Sequence, residues 1–195
     1  MPRLVAPTVR PGALGPSQPR LAGHGVLLRP WAPTDAPALV AAYADPDIQR
    51  WHCRSLDDGE APQLIDEWRQ AWAAGTGASW AVVDPGGGLL GRVGLREVDL
   101  AGGLAELAYW VLPTARRRGV AVAAVRTLSR WAFDQVGLQR LELVHSTANQ
   151  ASCGVAGAAG FPFEGTLRGC VEHTDGWHDM HLHARIRTDA DPGPA

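Results

Sequence analysis

The sequence contains no lysine; all 18 of its cationic side chains are arginine, a bias that fits GC-rich codon usage better than any physical demand. Acidic residues number 20, so the formal net charge is −2, and the arginines are scattered, which excludes the domain-wide basic surface that holds nucleic acid. Cysteine is scarce. The three present, Cys53, Cys153 and Cys170, are odd in number and far apart, so they make neither a disulfide framework nor a Cys-x-x-Cys metal site, and they suit a reducing cytoplasm. No apolar run approaches the roughly 20 residues that span a bilayer. The opening stretch MPRLVAPTVRPGALGPSQPR has too many prolines and too short an apolar run for a secretory signal. These absences argue for a cytoplasmic chain whose partners are neither nucleic acid nor membrane.

What is present is material for a core: 46% of the 195 residues are hydrophobic and 19% charged, enough for one domain of ordinary size. Residues 1–22 are rich in Pro, Gly and Ser without periodicity and read as a flexible arm, residues 188–195 as a flexible tail, and residues 23–187 as the domain. Inside the domain, GVLLRPW is a short strand, and TDAPALVAAYADP a helix that Thr34 or Asp35 caps and Pro46 stops. Leu64, Ile65, Trp68 and Trp72 recur at helical spacing over residues 57–74. SWAVVD, LLGRVGLREVD and LAELAYWVL follow as antiparallel strands, and GVAVAAVRTLSRWAFDQVG is a helix ending at Gly137. LQRLELVHS is a strand, NQASCGVAGAAGF a short helix, and EGTLRGCVEH with WHDMHLHARI a closing hairpin. The implied architecture is α/β in the α+β sense: a mixed, mostly antiparallel sheet of about six or seven strands flanked by about four helices.

Two glycine clusters invite opposite readings. Gly86, Gly88 and Gly91 satisfy G-x-G-x-x-G, but a β-run follows instead of a helix, so this is a hairpin turn and not a dinucleotide fingerprint. In PTARRRGVAVAAV, by contrast, a strand ends near Leu112 and a helix begins near Gly119, which presents unpaired main-chain amides at the positive end of a helix dipole. Those donors suit a pyrophosphate. Gly119 admits close approach of the backbone, Ala121 does not obstruct it, and Arg116, Arg117 and Arg118 supply neutralising charge.

The segment AELAYWVLPTARRRGVAVAAVRTLSRWAF resembles the central segment of the GCN5-related N-acetyltransferases, a strand followed by Q/R-x-x-G-x-G/A and a helix, here at Arg116, Gly119 and Ala121. NQASCGVAGAAGF, with Asn149, Ser152 and the Gly160-Phe161 pair, resembles the family's second cofactor segment. The resemblance runs from GVLLRPW to MHLHARI and is nearest the branch of the ribosomal-protein N-terminal acetyltransferases. It implies a sheet splayed at an acetyl-CoA site, with the pyrophosphate on the amides of residues 117–122, including Val120 and Val122, and the pantetheine along Trp110, Val111 and Leu112. Asn149 would approach the pantetheine arm, and the Ser152 hydroxyl would protonate the leaving thiolate. A homodimer is compatible with the family. Position 117 is commonly Gly in close relatives and is Arg here, and Gly154 and Gly157 should loosen the second helix by about 1 kcal/mol each.

An ammonium acceptor must lose its proton before attacking a thioester, which requires a base. Glu106, on the same strand face as Ala108 and Trp110, is the first candidate, and Glu172 the second. A main-chain N–H near Val111 would meet the oxyanion. Trp51 and His52, in the connection after Pro46, are candidate acceptor walls. Among His178, His181 and His183, alternation puts the last two on one face and the first on the other, so no metal is expected. The acceptor is either a protein N-terminus or a small-molecule amine, with a non-catalytic acyl-CoA sensor as the alternative function.

Overall fold

Alternating apolar residues build a single sheet in the computed structural model, which describes residues 4–192. Its strands are β1 (Leu21–Gly23), β2 (Val26–Pro30), β3 (Ala78–Val83), β4 (Leu89–Asp99), β5 (Leu104–Val111), β6 (Arg140–Ser146), β7 (Phe163–His173) and β8 (Gly176–Ile186), in the order β1-β2-β3-β4-β5-β6-β8-β7. Every neighbouring pair is antiparallel except β5 and β6. That pair is parallel because a helix, α4 (Val120–Trp131), returns the chain between them. The remaining helices are α1 (Ala36–Tyr43), α2 (Pro46–His52), α3 (Glu60–Ala74) and α5 (Gln150–Ala158).

Alternation along each strand feeds two cores, one on each face of the sheet. On β5, Ala105 and Leu107 enter the layer under α4 with Trp80, Leu128, Leu141 and Phe161, whereas Trp110 enters the layer under α1 and α3 with Trp31, Leu39 and Ile65. Trp72, Trp80 and Trp131 meet within the first layer at ring-centroid distances of 5.3–6.0 Å. Most of the tryptophans are packing residues, as their spacing predicts.

The feature that matters for function is where pairing stops. β5 and β6 are in register only from Leu104↔Arg140 to Leu107↔Leu143. Beyond that, β5 stays paired with β4 as far as Val111 and β6 stays paired with β8 as far as Ser146, so the two strands diverge and their inner edges face a gap. Main-chain groups on those edges have no sheet partner.

The architecture has one strand and one helix more than the sequence predicts, and both have local causes. β1 pairs with β2 through a tight turn containing Gly25 at φ +80°. Pro46, read as a helix stop, is the first residue of α2: Asp45 caps it, accepting the Ile48 N–H at 3.0 Å, so Trp51 and His52 stand on a helix and not in a loop.

The expectation of a flexible arm over residues 1–22 also needs correcting. Val9 and Leu14 are buried in the main core, Val9 N–H bonds to Leu100 O, and the Trp80 indole N–H donates to Pro19 O at 2.8 Å. The tail is held too: Asp191 pairs with Arg130 and Arg185. Residues 1–3 and 193–195 of these expected segments lie outside the described residues.

Candidate active site

The gap between β5 and β6 opens into a cleft of about 910 Å³, bounded by the N-terminal ends of α4 and α5, by the end of α2, and by the β7–β8 hairpin. Its shape follows from the divergence of the strands. The peptide groups lining its β5 edge can be assigned by alternation. Leu112 N–H turns back to Leu90 O beside β4, so Val111 and Tyr109 turn theirs into the gap. The expected pantetheine edge of Trp110, Val111 and Leu112 is therefore out of step: Val111 and Tyr109 present main-chain groups, while Trp110 contributes a cleft wall and Leu112 packs against the α1–α3 core.

Both carbonyls on that edge are already capped by side chains. His52 Nε2–H donates to Tyr109 O at 3.0 Å, and Arg116 Nε–H to Val111 O at 3.3 Å. Burial, reinforced by the positive charge of Arg92 and Arg96, lowers the His52 pKa to about 4, so the imidazole is neutral with its Nδ1 lone pair unprotonated. The remaining Arg116 nitrogens bind Asp45 at 2.5 Å and Asp47 at 2.7 Å. Arg116 therefore does not supply free charge for a phosphate; it fastens the loop before α4 to α2. Arg117 borders the cleft, and Arg118 is exposed and outside its lining.

The amides at the start of α4 are arranged as expected. Gly119 is the N-cap with φ +74°, no side chain caps the helix, and the first bond closing the turn runs from Ala123 N–H to Gly119 O. The N–H groups of Val120, Ala121 and Val122 thus precede the hydrogen-bonded ladder of a 12-residue helix, at the mouth of the cleft. An added Cβ at Gly119 meets nothing within 4 Å, so the left-handed φ, not crowding within the chain, is what favours glycine there. Arg117 also has a left-handed φ, +61°, a conformation that glycine adopts without strain.

Across the gap, Asn149 is the N-cap of α5, its Oδ1 accepting the Ser152 N–H at 3.1 Å, and both residues line the cleft. The Tyr109 hydroxyl is buried and faces Ser152 without a partner at good hydrogen-bond geometry. Burial pushes its pKa up to about 12, an effect Ser152 partly offsets. Sequence reading missed Tyr109, because an aromatic on a core strand carries no local signal of chemistry.

The acceptor side is mixed. Trp51 lines the cleft beneath the Arg50 guanidinium, 4.6 Å from its ring, and meets His173 edge-on at 6.2 Å. Glu172 lines the cleft from β7. Glu106 does not: its carboxylate is engaged by Arg96, and it is the Arg96 side of this pair that reaches the lining. His178 is held by Ser146 and Asp175, apart from His181 and His183. Those two meet His145 and Cys153 instead.

A strand pair splayed beside an uncapped helix N-terminus is a site for an extended ligand with a diphosphate. A family model for the acetyltransferase (GNAT) domain matches residues 26–162. The chain belongs to the GNAT acetyltransferase family. This GNAT enzyme is an acyl-CoA-dependent N-acetyltransferase whose cosubstrate is acetyl-CoA. It is 26% identical over 126 residues, 65% of this chain and 68% of the relative, to YdaF of Bacillus subtilis (strain 168), which carries the name of a ribosomal N-acetyltransferase. Mycobacterium smegmatis RimJ, solved with a CoA disulfide, superposes with a TM-score of 0.80 at 24% identity, covering 89% of this chain and 90% of that one. RimL, a ribosomal L7/L12 α-N-protein acetyltransferase solved with coenzyme A, gives 0.80 at 17% identity over 86% and 98%. At these identities the two structures speak for the fold. No helix among the described residues is long and apolar enough to cross a membrane.

Proposed function

We propose that this GNAT enzyme acetylates the α-amino group of a protein N-terminus by direct attack on acetyl-CoA in a ternary complex. The observation that carries the reading is the gap between β5 and β6, with the amides of α4 at one end and a wall of Trp51, His52 and Glu172 at the other. The diphosphate would rest on the amides of residues 117–122, and the pantetheine would pair with the Tyr109 and Val111 edge, displacing or sharing the His52 and Arg116 bonds. The description of RimL as an α-N-protein acetyltransferase, and of YdaF as a ribosomal N-acetyltransferase, supports a protein N-terminus over a small amine.

In the reaction the amine nitrogen attacks the thioester carbon, the C–N bond forms, and the C–S bond breaks. The acceptor ammonium gives one proton to Glu172 through water before it attacks; the second, freed as the amide forms, reaches the thiolate through water and the Ser152 hydroxyl, which gives one proton as it takes another, beside the buried hydroxyl of Tyr109. The Val111 N–H meets the oxyanion. Glu106 acts through Arg96 as a positioning residue. His52 stays neutral at physiological pH and holds the strand edge.

Calorimetry with coenzyme A on Ala121→Asp tests the reading. A carboxylate in the first turn favours the helix but opposes a phosphate, so stability should hold while affinity falls at least about tenfold. Unchanged affinity would remove the diphosphate from α4. Thiol release across N-terminal peptides, aminoglycosides and polyamines then separates the acceptor classes; binding of acetyl-CoA without turnover on any amine would support the sensor alternative.

A further inference from the structure

The transfer reaction requires no metal, yet the fold assembles a set of metal-binding side chains that neighbouring sequence positions do not reveal. His145 on β6 lies directly opposite His181 on β8, His183 follows two residues along the same face, and Cys153 descends from α5. One ligand atom from each of these four residues lies within 4.8 Å of all the others. A tetrahedral zinc site with Zn–N near 2.1 Å and Zn–S near 2.3 Å has ligand–ligand edges of about 3.4–3.6 Å, so side-chain rotations of roughly an ångström would close the set.

The hydrogen bonds orient the rings for this purpose. His145 Nδ1 lies 2.8 Å from Ser146 O and His183 Nδ1 lies 3.1 Å from Phe161 O. A carbonyl only accepts, so each Nδ1 bears a proton, and in that tautomer Nε2 carries the lone pair. Both Nε2 atoms, and Nδ1 of His181, are buried without a hydrogen-bond partner. His145 and His183 are only 5% and 4% exposed. Three converging ring nitrogens with no partner are costly if nothing sits between them. The Phe163 ring covers the outer side, 5.0 Å from His181 and 5.6 Å from His183.

We propose that His145, Cys153, His181 and His183 bind one structural zinc ion. All four positions are filled by protein, the closed arrangement of a structural site. The ion would tie α5, a short helix containing Gly154 and Gly157, to β6 and β8, and so fix the helix that carries Asn149 and Ser152. It contributes no step to acetyl transfer.

The test needs neither coenzyme A nor an acceptor, so it stands or falls apart from the proposed function. The purified protein, stripped with a chelator, is titrated with Zn²⁺ and with Co²⁺. One ion per chain should bind, and the Co²⁺ form should show tetrahedral ligand-field bands with a thiolate-to-metal charge-transfer band. Cys153→Ser should abolish the charge-transfer band, and His183→Gln should weaken binding by about 100-fold or more. His178→Ala, outside the cluster, should leave stoichiometry and spectrum unchanged. Should a variant fail to fold, the wild-type spectrum still decides: an absent charge-transfer band, or no stoichiometric binding of either ion, overturns the proposal.

Discussion

Arg117 holds a left-handed backbone at φ +61° beside the cleft, in a conformation that costs a side-chain-bearing residue about 1–2 kcal/mol. Arg117→Gly should therefore raise stability by about 0.5–1 kcal/mol after the extra freedom glycine gives the unfolded chain, read as a higher urea midpoint at unchanged slope. Affinity for coenzyme A should fall less than about tenfold, because the main-chain amides proposed to meet the diphosphate remain. His52 offers a second residue-level test. Its folded pKa of about 4 lies below the usual 6.5, so the unfolded chain binds the proton more readily. The stabilising contribution is complete above pH 6.5 and is lost as pH falls towards 4, up to about 3 kcal/mol in all. His52→Asn should flatten that part of the stability–pH curve; an equally steep curve in the variant would remove the assignment to His52. At this scale the sequence revealed the uncapped start of α4 through Gly119 but not the side-chain allocations. Arg116 looks like a phosphate ligand in one dimension and becomes a clamp only when Asp45 and Asp47, about 70 positions away, fold beside it. Glu106 likewise reads as a free strand carboxylate until β4 brings Arg96 opposite it.

At the scale of elements, α3 and α4 were legible because their apolar faces repeat over many turns, and the long strands because alternation persists. α2 was not, since seven residues are too few to show a period and its opening proline resembles a stop signal. The helix α5 is the element most open to improvement. Gly157 is its last residue but one, its φ is not left-handed, and a Cβ added there meets nothing within 4 Å. Gly157→Ala should stabilise the protein by roughly 0.5 kcal/mol, a rise in Tm of about 1–2 °C by calorimetry. Gly154 is a poorer choice because it lines the cleft, where a methyl group would face the cosubstrate. A Gly157→Ala protein with unchanged or lower Tm would mean that the helix is fixed by its contacts alone.

For the whole molecule, composition indicates one domain with a substantial core but misplaces its edge. The N-terminal residues look flexible because proline and glycine interrupt any period, yet they dock by isolated anchors, Val9 and Leu14, which no periodicity test detects. Burying a Val or Leu side chain contributes about 1.5–3 kcal/mol each. The arm also satisfies two groups on β3, since Pro19 O accepts the Trp80 indole N–H and the Gln18 amide donates to Ser79 O. Leaving a buried donor such as that indole unpaired costs a further 1–3 kcal/mol or so. Removing residues 1–19 should therefore cost about 4 kcal/mol or more, a large part of the 5–15 kcal/mol typical of a folded domain. A truncated chain should unfold at a much lower urea midpoint, with Trp80 fluorescence reporting new solvent exposure, whereas Leu4→Ala should change little, because Leu4 is fully exposed. Equal midpoints for the truncated chain and Leu4→Ala would mean that Val9 and Leu14 add nothing to the core. Since the arm anchors on β3 and on the turn between β4 and β5, neither of which carries a residue of the four-residue cluster, chelator sensitivity arising from that cluster should persist in any truncated chain that still folds.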